Sequence, residues 1–558
     1  MSIYKSSSLA MIPSAYKDGK LYSVRPTDGS GDFTFSRGSN LAATRVASSG
    51  YIEKGRENVL LNSVWDGIGT NVPPTSWTNG FTSGNYESAS SSFGGNNGIR
   101  FYGTSARRYV SQIPSFSGIM ALSIYVESVT TADEIRYVLN QIGGTELFYL
   151  EDSSVVANTT SILAGKTYTL VFNTSGTTEI RIGGGVTGSR TYDFTLSVPQ
   201  LEQGLVRTDY IETGASTAQA GILEDMPRLD YSGGATCPSL LLEPQRTNMF
   251  TQSEYFDSWV LGGITQPTLT ANYSQSPEGL QNAYRVQLPN IATDSLMAQI
   301  VSHTSGTDMT ISAWVKSASG SNEVFKLYGD YGTPTGRSSQ FTATSEWQRF
   351  TFTFTPTATG SRGTGLLSIN NTASDLLVYG MQIEAASYPT SYIPTYGSSV
   401  TRSKDFVSLT SASDLMDVNG TTFLLEVQGI SNGGDSRRFS ISDGTYNNRA
   451  VIELDETADT IKVFLVGNGS VGASLTITGI DQTNNNKIAV AFDSSGVIVY
   501  INGEYKTQDT SITLPTALSE IKFRDGGGSN LEMEGYVKQA IVFSSRLTDT
   551  ELASLTTL

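Results

Sequence analysis

The sequence has few of the side chains that the commonest catalytic and metal sites need. It contains one cysteine, Cys237, and one histidine, His303, among 558 residues. A single cysteine excludes an intrachain disulfide, and two such residues cannot supply the four ligands of a structural zinc site. A Ser-His-Asp or Cys-His triad would have to use His303, and no nucleophile-elbow sequence lies near it. We therefore expect no catalytic residues and interpret His303 as a loop histidine.

Positive charge is also scarce. The chain has 36 Lys and Arg against 52 Asp and Glu, which gives a net charge of −16. No basic stripe is present to meet phosphates, so we expect no nucleic-acid partner and no anionic membrane partner. No apolar run approaches the roughly 18 residues of a membrane span, and the patch at residues 9–12 is too short for a signal peptide. The sequence predicts synthesis in a cytoplasm without a signal peptide.

What the sequence does have is typical of an all-β protein. Short runs of Thr, Val, Ile, Tyr and Phe alternate with clusters of Gly, Ser and Asn, and long heptads are absent. The spacing of these runs favours tandem antiparallel β-sandwiches. The strand candidates of the first half are 99–102, 108–112, 120–127, 135–139, 166–172 and 192–198. Residues 546–558 predict a short C-terminal helix, with a capping box at Thr548 and Glu551.

One motif occurs twice. Residues 196–214 and 378–397 align without gaps on Gln200 and Gln382, an offset of 182 residues. The matched pairs include Glu202 with Glu384, Thr208 with Thr390, Tyr210 with Tyr392, Ile211 with Ile393 and Thr213 with Thr395. Arg56-Glu57-Asn58 likewise matches Arg246-Thr247-Asn248, and residues 120–128 match 309–317. A period this long predicts two copies of one domain rather than a solenoid of short units.

The repeat divides the chain into five segments. The predicted boundaries are 1–50 for an N-terminal arm, 51–214 and 240–400 for two jelly-roll modules, 215–239 for a linker, and 401–558 for a different sandwich. Residues 1–50 are rich in Gly and Pro and have no core of their own, so they need a partner to be ordered. The segment is either an attachment arm or an extension packed on the first domain.

Aromatic side chains on a strand face are candidates for sugar binding, because the C–H faces of sugars stack on rings. In residues 311–316, Ile311, Ala313 and Val315 share one face of the strand. If that face is core, Trp314 and its match Tyr125 face outward or into a cleft. The alternative is that they belong to a second packed face.

The last domain offers a second, weaker set of candidates. Asp435, Arg437 and Asn530 lie in loops that could form a sugar site. Trp65 and Trp259 follow the repeated Arg-x-Asn element and are interpreted as core anchors.

Acidic loops are candidates for calcium binding. Asp28, Asp435, Asp443 and Asp525 lie in loops of the kind that offer oxygen ligands, but none has EF-hand spacing. Turn formation by Asp-Gly is the favoured explanation, so we expect no cofactor, with calcium as the open possibility. A carboxylate pair could hydrolyse glycans, yet no pair is singled out and no β-helix repeat is visible. We expect a non-enzyme, with a glycan depolymerase as the alternative.

Three stretches resemble known families. GMQIEAASYPTSYIPTYGSSVTR, with LLLEPQRTNMFTQS ahead of it, resembles the carbohydrate-binding-module-like jelly rolls of phage fibre and appendage proteins. Residues 5–46 resemble the N-terminal segment of virion-associated proteins of crAss-like and related tailed phages. NKIAVAFDSSGVIVYINGEYK is similar to a strand pair of concanavalin A-like, or laminin-G, sandwiches. The first repeat departs in detail, since Glu212 stands where the second has Pro394.

The resemblance implies a structural protein of a tailed-phage virion. It would be a head or tail fibre that projects from the particle, binds bacterial surface glycans and forms a homo-oligomer, for which a trimer is the first expectation. The arm would attach it to capsid, collar or tail proteins through residues of its two short strand candidates and their flanks. These residues are Tyr22, Arg25, Phe33, Phe35 and Arg37. A decoration protein that binds no ligand is the further alternative.

Overall fold

The computed structural model of the protein describes residues 3–38, 41–81, 83–94, 97–141, 146–174, 176, 178–185, 190–330, 336–528 and 531–558. Within these residues the chain is nearly all β-strand, arranged in several antiparallel sheets with a short C-terminal helix. The predicted fold class is therefore confirmed. Among the described residues, no helix is both long enough and apolar enough to cross a bilayer.

The strands and helices follow in chain order. The N-terminal segment holds β1 (Leu9–Met11), β2 (Tyr16–Lys17), β3 (Lys20–Leu21), β4 (Phe33–Ser36), β5 (Thr44–Val46) and β6 (Ile52–Lys54). The first repeat holds β7 (Arg56–Asn58), β8 (Thr78–Gly80), β9 (Asn85–Ser90), β10 (Asn97–Thr104), β11 (Arg108–Gln112), β12 (Gly118–Thr131), α1 (Ile135–Val138), β13 (Leu139–Gln141), β14 (Glu146–Leu150), β15 (Val155–Val156), β16 (Lys166–Thr174), β17 (Ile180–Gly184), β18 (Thr191–Gln203) and β19 (Ala218–Ala220).

The second half continues the series. The joining segment and second repeat hold β20 (Arg228–Asp230), β21 (Ser239–Leu242), β22 (Arg246–Asn248), β23 (Val260–Gly262), β24 (Thr268–Ser274), β25 (Ala283–Leu288), β26 (Leu296–His303), β27 (Met309–Ser317), β28 (Glu323–Tyr328), β29 (Phe341–Ala343), β30 (Gln348–Phe354), β31 (Gly360–Leu367), β32 (Ser374–Glu384) and β33 (Val400–Arg402). The last segment holds β34 (Phe406–Leu409), β35 (Gly420–Gly429), β36 (Arg437–Ser442), β37 (Arg449–Leu454), β38 (Thr460–Gly467), β39 (Ser470–Thr478), β40 (Asn485–Asp493), β41 (Gly496–Ile501), β42 (Glu504–Asp509), β43 (Glu520–Lys522), β44 (Gly535–Phe543) and α2 (Asp549–Thr556).

These elements form two compact units that interleave along the sequence. The first, which we call the terminal unit, consists of Met1–Glu53, Ile222–Arg246 and Thr401–Leu558. The second, the repeat unit, consists of Lys54–Gly221 and Thr247–Val400. This partition differs from the five predicted segments, because it places the arm and most of the predicted linker in one unit with the last domain.

The terminal unit is a sandwich of two sheets. One has the strand order β20-β21-β44-β35-β40-β41-β42, with β1 also paired to β44; the other has the order β2-β3-β4-β34-β43-β36-β37-β38-β39. Their inner faces share one apolar core, to which Phe423 and Ile488 contribute from the first sheet and Phe439 and Ile452 from the second. At the C-terminus the predicted capping box is present, since Thr548 caps α2 and Glu551 accepts a hydrogen bond from the Thr548 N–H.

The N-terminal segment is part of this sandwich. Leu9 pairs with Val542 across β1 and β44, and Phe35 pairs with Val407 across β4 and β34. Strands of two to four residues cannot hold a core alone, but the edges of longer strands satisfy their backbone N–H and C=O groups. The alternative of a packed extension therefore describes the segment better than an independent arm, and it packs on the last domain rather than the first.

This packing bears on the five residues predicted to attach the protein to a virion. Phe33, Phe35 and Arg37 are at most 2% exposed in the interior of the terminal unit. A side chain buried in its own unit cannot make a surface contact, so these three are core residues in this structure. Tyr22 and Arg25 are exposed, and attachment through them stays a prediction.

The repeat unit contains the two copies that the sequence motif predicts. In the first repeat one sheet includes the order β9-β10-β18-β12-β16, and in the second the corresponding sheet has the order β24-β25-β32-β27-β30. The opposing sheets also correspond, as β8-β11-β17-β13 and β23-β26-β31-β28. Trp65 and Trp259 are buried in the two cores, as expected of anchors.

One predicted strand of the first repeat is largely a helical turn. Residues 135–139 form α1 over the first four positions, and β13 begins only at Leu139. Ile135 and Val138 are both fully buried, and a spacing of three brings both side chains to one face of a helix. The apolar run alone could not distinguish the two structures at this length.

Candidate functional site

The repeated motif forms a network of buried hydrogen bonds inside each module. In the second repeat, the Gln382 side chain donates to Glu384 at 2.7 Å and accepts from the Ile393 N–H at 2.7 Å. Glu384 also accepts from the Thr390 N–H at 2.9 Å, and the Asn248 amide donates to the Ile393 carbonyl at 2.9 Å. Because these side chains are buried, each bond satisfies a polar group that would otherwise be orphaned.

The first repeat makes the same bonds at the matching positions. Gln200 donates to Glu202 at 2.7 Å and accepts from the Ile211 N–H at 2.7 Å, while Asn58 donates to the Ile211 carbonyl at 2.8 Å. Glu202 accepts from the Thr208 N–H at 2.8 Å. The motif is therefore a structural closure: its hydrogen bonds hold the segment that follows the last strand of each repeat. The Gln, Glu and Asn side chains of the motif are used in these bonds.

Removing the central asparagine of either closure is expected to have the same effect. Asn58→Ala and Asn248→Ala each leave buried backbone groups without partners, so each should lower the free energy of unfolding of the repeat unit by about 2 kcal/mol. Urea denaturation measures both. Asn290→Ala, at an exposed position, is the control and should change little. A large loss of unfolding free energy in one variant and none in the other would contradict the equivalence of the two closures.

Trp314 occupies the strand face that the sequence predicts. Ile311, Ala313 and Val315 are fully buried in the core, and Trp314 lies on the opposite face of β27. Its ring is covered there, with the Arg349 guanidinium carbon 4.5 Å from the ring centroid. The Tyr392 ring lies at 5.7 Å. In the second repeat this face is packed by the module's own side chains, whereas the alternative interpretation expects packing against a neighbouring subunit or the N-terminal arm.

The matching face of the first repeat borders a cavity. Tyr125 is half-buried, its ring centroid lies 5.2 Å from that of Phe93, and Phe93 borders a cavity of about 360 Å³. We call this the tyrosine cavity. Its walls include β14, β16 and the closing segment that follows β18, and Leu280 of the second repeat borders it. The lining residues used below are Phe93, Tyr149, Arg207, Asp209 and Tyr210.

Two rings of the tyrosine cavity are held in place. The Tyr210 hydroxyl lies 2.6 Å from the Ser63 hydroxyl, which fixes the ring against its own module. Tyr149 is 3% exposed, and burial raises its pKa to about 12, with the charge of Asp257 adding to the effect. Burial likewise raises the pKa of Tyr210 to about 12. Both phenols therefore stay neutral and can donate hydrogen bonds over the physiological pH range.

Arg207 is the cation of the tyrosine cavity. Its Nη1 donates to the Thr167 hydroxyl at 2.9 Å, whereas its buried Nε has no hydrogen-bond partner among the residues that the structure describes. Burial lowers the pKa of Arg207, although the charges of Glu202 and Asp209 oppose the shift. A guanidinium stays protonated at neutral pH, so Arg207 places a positive charge in the wall of the tyrosine cavity.

Of the three candidates of the last domain, two lie in contact, since Arg437 Nε donates to the Asp435 carbonyl at 3.2 Å. Arg437 is 1% exposed and its guanidinium donates to the Ser431 carbonyl at 3.0 Å and to Gln482 at 2.7 Å. It is a structural arginine that holds a loop, so its assignment to a sugar site has no geometric support. Asp435 is exposed, and Asn530 lies outside the described residues.

The acidic loops behave as turns. Asp28 and Asp443 each accept a hydrogen bond from the backbone N–H two residues ahead, at 3.0 and 2.9 Å. Asp525 faces Arg449 at 3.3 Å. In the described part of the chain, no group of three or more His, Cys, Asp or Glu side chains is placed to hold a metal ion.

His303 is not the loop residue that the sequence suggests. It ends β26 and is 1% exposed, with its Nε2 3.0 Å from the Thr364 hydroxyl and its ring 5.4 Å from that of Phe354. Burial lowers its pKa, so the ring is neutral at pH 7. The strand continues two residues further than the apolar run indicates because His303 itself fills a core position.

Comparisons with known proteins add little to this geometry. No protein-family model matches the chain, and no curated protein matches it. Among solved structures, it is similar to the CBM40 of Ruminococcus gnavus IT-sialidase bound to α2,3-sialyllactose, with 15% identity over 26% of this chain and 87% of that chain and a TM-score of 0.24.

Two further structures are similar to the same small extent. Domain 4 of AbnA, a GH43 extracellular arabinanase from Geobacillus stearothermophilus in complex with arabinotriose, has 14% identity over 27% of this chain and 73% of that chain, with a TM-score of 0.24. A leech intramolecular trans-sialidase has 18% identity over 25% of this chain and 23% of that chain, with a TM-score of 0.22. Neither the fold nor the function of this chain is inferred from scores this low.

Proposed function

We propose that this chain binds cell-surface carbohydrate in the tyrosine cavity and acts by binding rather than by catalysis. The observation that carries the proposal is the lining of that cavity. Rings of Phe93, Tyr149 and Tyr210 border it beside the Arg207 guanidinium and the exposed Asp209 carboxylate. Sugars need this combination, because their C–H faces stack on rings while their hydroxyls donate and accept hydrogen bonds.

The shape of the cavity supports a sugar as ligand. Its volume of about 360 Å³ falls within the roughly 300–1,000 Å³ of small-molecule sites. The face on which it lies is the one that the sequence selects through Tyr125. In the second repeat the same face is filled by Arg349 and Tyr392 around Trp314, so we assign binding to the first repeat alone.

A glycan array of bacterial surface oligosaccharides, followed by calorimetry on the strongest hit, tests this proposal. Arg207→Ala removes the positive charge from the cavity wall and should weaken binding about tenfold or more, since hydrogen bonds to charged groups are worth about 1.5–3 kcal/mol. Asp414→Ala, at an exposed carboxylate of the terminal unit, should leave affinity unchanged. Equal affinities for wild type and Arg207→Ala would contradict the assignment.

We further propose that the chain serves as a head or tail fibre of a tailed-phage virion, in a homotrimer attached to other virion proteins. This proposal rests on the sequence resemblance and on the logic of multivalency, by which several weak glycan contacts on one particle become strong. Imaging purified virions labelled with an antibody against residues 401–558 tests it. Label around the capsid favours a head fibre, label at the tail favours an adsorption fibre, and no label contradicts the proposal.

A further inference from the structure

A second cavity, of about 240 Å³, lies on the other sheet of the first repeat. We call it the arginine cavity. The lining residues that matter here are Arg107, Tyr109, Arg136, Tyr137, Asn140 and Arg181. None of them borders the tyrosine cavity, so the two sites can be tested separately.

Strand alternation fixes the cationic face of this cavity. On β17, Ile180 and Ile182 are fully buried in the module core, so Arg181 between them points to the opposite face. Across the ladder, Tyr109 pairs with Gly183, and a Cβ at Gly183 would lie 2.6 Å from that of Tyr109. Glycine at this position lets the Tyr109 side chain lie against the sheet beside Arg181.

Aromatic rings hold the guanidinium groups. The Arg181 and Arg107 guanidinium carbons lie 4.9 and 5.3 Å from the Tyr109 ring centroid, and that of Arg136 lies 4.8 Å from the Tyr137 ring centroid. Cation–π contacts at these distances stabilise a guanidinium without consuming its N–H donors. The three groups are therefore ordered and still able to bind an anion.

The charges around the cavity do not balance. Arg181 pairs with Glu179 and Arg136 with Glu134, both at 2.7 Å, but Arg107 has no carboxylate within ion-pair distance among the described residues. Burial alone would raise the pKa of Glu179, yet Arg181 and Arg107 hold it below its ordinary value. The site is thus locally positive on a chain whose net charge is −16.

We propose that the arginine cavity binds an acidic sugar, a pyranose that carries a carboxylate. Arg107 and Arg181 pair with the carboxylate, and the Asn140 amide bonds a hydroxyl of the sugar; the Tyr137 ring is covered by Arg136 and Arg190 and holds their guanidinium groups in place. Planar guanidinium groups suit carboxylate oxygens, which fixes both position and orientation. Because the volume is below the roughly 300 Å³ of drug-sized sites, the cavity accommodates one sugar ring rather than a long oligosaccharide.

Calorimetry of the full chain with three probes tests the proposal. Glucuronic acid carries ring and carboxylate, glucose carries the ring alone, and acetate carries the carboxylate alone. We expect glucuronic acid to bind about tenfold more tightly than either of the others, with an affinity that falls as salt is raised. Arg107→Gln should weaken glucuronic acid about tenfold and leave glucose unchanged.

Two further variants make the outcome decisive. Arg100→Gln alters a half-exposed arginine of β10 in the other sheet of the same repeat, which pairs with Glu87 and Asp193, and should leave glucuronic acid binding unchanged. Arg207→Ala alters the tyrosine cavity and reports which of the two cavities holds the acidic sugar. Equal binding of glucose and glucuronic acid, equal losses in Arg107→Gln and Arg100→Gln, or no glucuronic acid binding at all would overturn the proposal. A loss confined to Arg207→Ala would move the acidic sugar to the tyrosine cavity and leave the proposed function standing.

Discussion

Replacing Asp405 with alanine is expected to lower the free energy of unfolding of the terminal unit by about 3–5 kcal/mol, because it leaves buried arginines without their counter-charge. Asp405 accepts from Arg228 and, at 3.3 Å, from Arg37. Arg228 and Arg402 also pair with Glu243, at 2.5 and 2.9 Å. All five side chains are at most 1% exposed, so water cannot replace the lost carboxylate.

The network crosses three segments that are far apart in sequence. Arg37 comes from the N-terminal segment, Arg228 and Glu243 from the joining segment, and Asp405 from the last domain. Burial disfavours the charged form of Arg228 and would lower its pKa, but Asp405 and Glu243 together raise that pKa above the ordinary value. The variant should therefore loosen the N-terminal strands together with the rest of the sandwich.

Calorimetric unfolding of the full chain measures this effect. The unfolding transition of the terminal unit should move to lower temperature, while the transition temperature of the repeat unit stays unchanged. Asp414→Ala, at an exposed carboxylate of the same unit, is the matched control and should shift the transition very little. A loss below about 1 kcal/mol in Asp405→Ala would mean that the network is not the buried structure described.

The second large effect is expected at Glu254 in the repeat unit. Its carboxylate is 2.7 Å from the Lys54 ammonium and accepts hydroxyl bonds from Tyr392 at 2.9 Å and Tyr396 at 3.1 Å. Glu254→Ala leaves Lys54 buried with only Glu278, at 3.1 Å, to compensate it. We expect the free energy of unfolding of the repeat unit to fall by about 3 kcal/mol, measured by urea denaturation.

Glu254 also makes the repeat unit sensitive to acid. Burial alone would raise its pKa, but Lys54 and the Tyr392 hydroxyl hold it below the ordinary value of 4.5. The folded state therefore binds the proton less readily than the unfolded state, so this contribution is complete above about pH 4.5 and is lost as the pH falls through the folded pKa. Glu254→Gln should show a shallower loss of stability below pH 4.5, and an unchanged slope would contradict this assignment.

Local patterns predict much of this fold. The alternating residues 311–316 lie within β27, and the shared positions of the motif identify two copies with equivalent strand orders. The placement of residues 1–50 could not be read in the same way. Leu9 pairs with Val542 and Phe35 with Val407, and nothing local in a three-residue strand specifies a partner hundreds of residues away.

The site was less predictable than the fold. The sequence selects the strand face of Tyr125 but not the cavity, because the closing segment that borders it has no regular structure. A signal was present nonetheless. Arg207 and Asp209, which supply the charges of the cavity, stand where the second copy has Pro389 and Ser391.

Hydrogen–deuterium exchange of the full chain, with and without a saturating glycan chosen from the array, tests the central claim most directly. Binding in the tyrosine cavity predicts slower exchange in residues 205–210 and 149–153, with little change in the matching segment 387–392 of the second repeat. Protection confined to other segments, or no glycan that binds at all, would contradict the account.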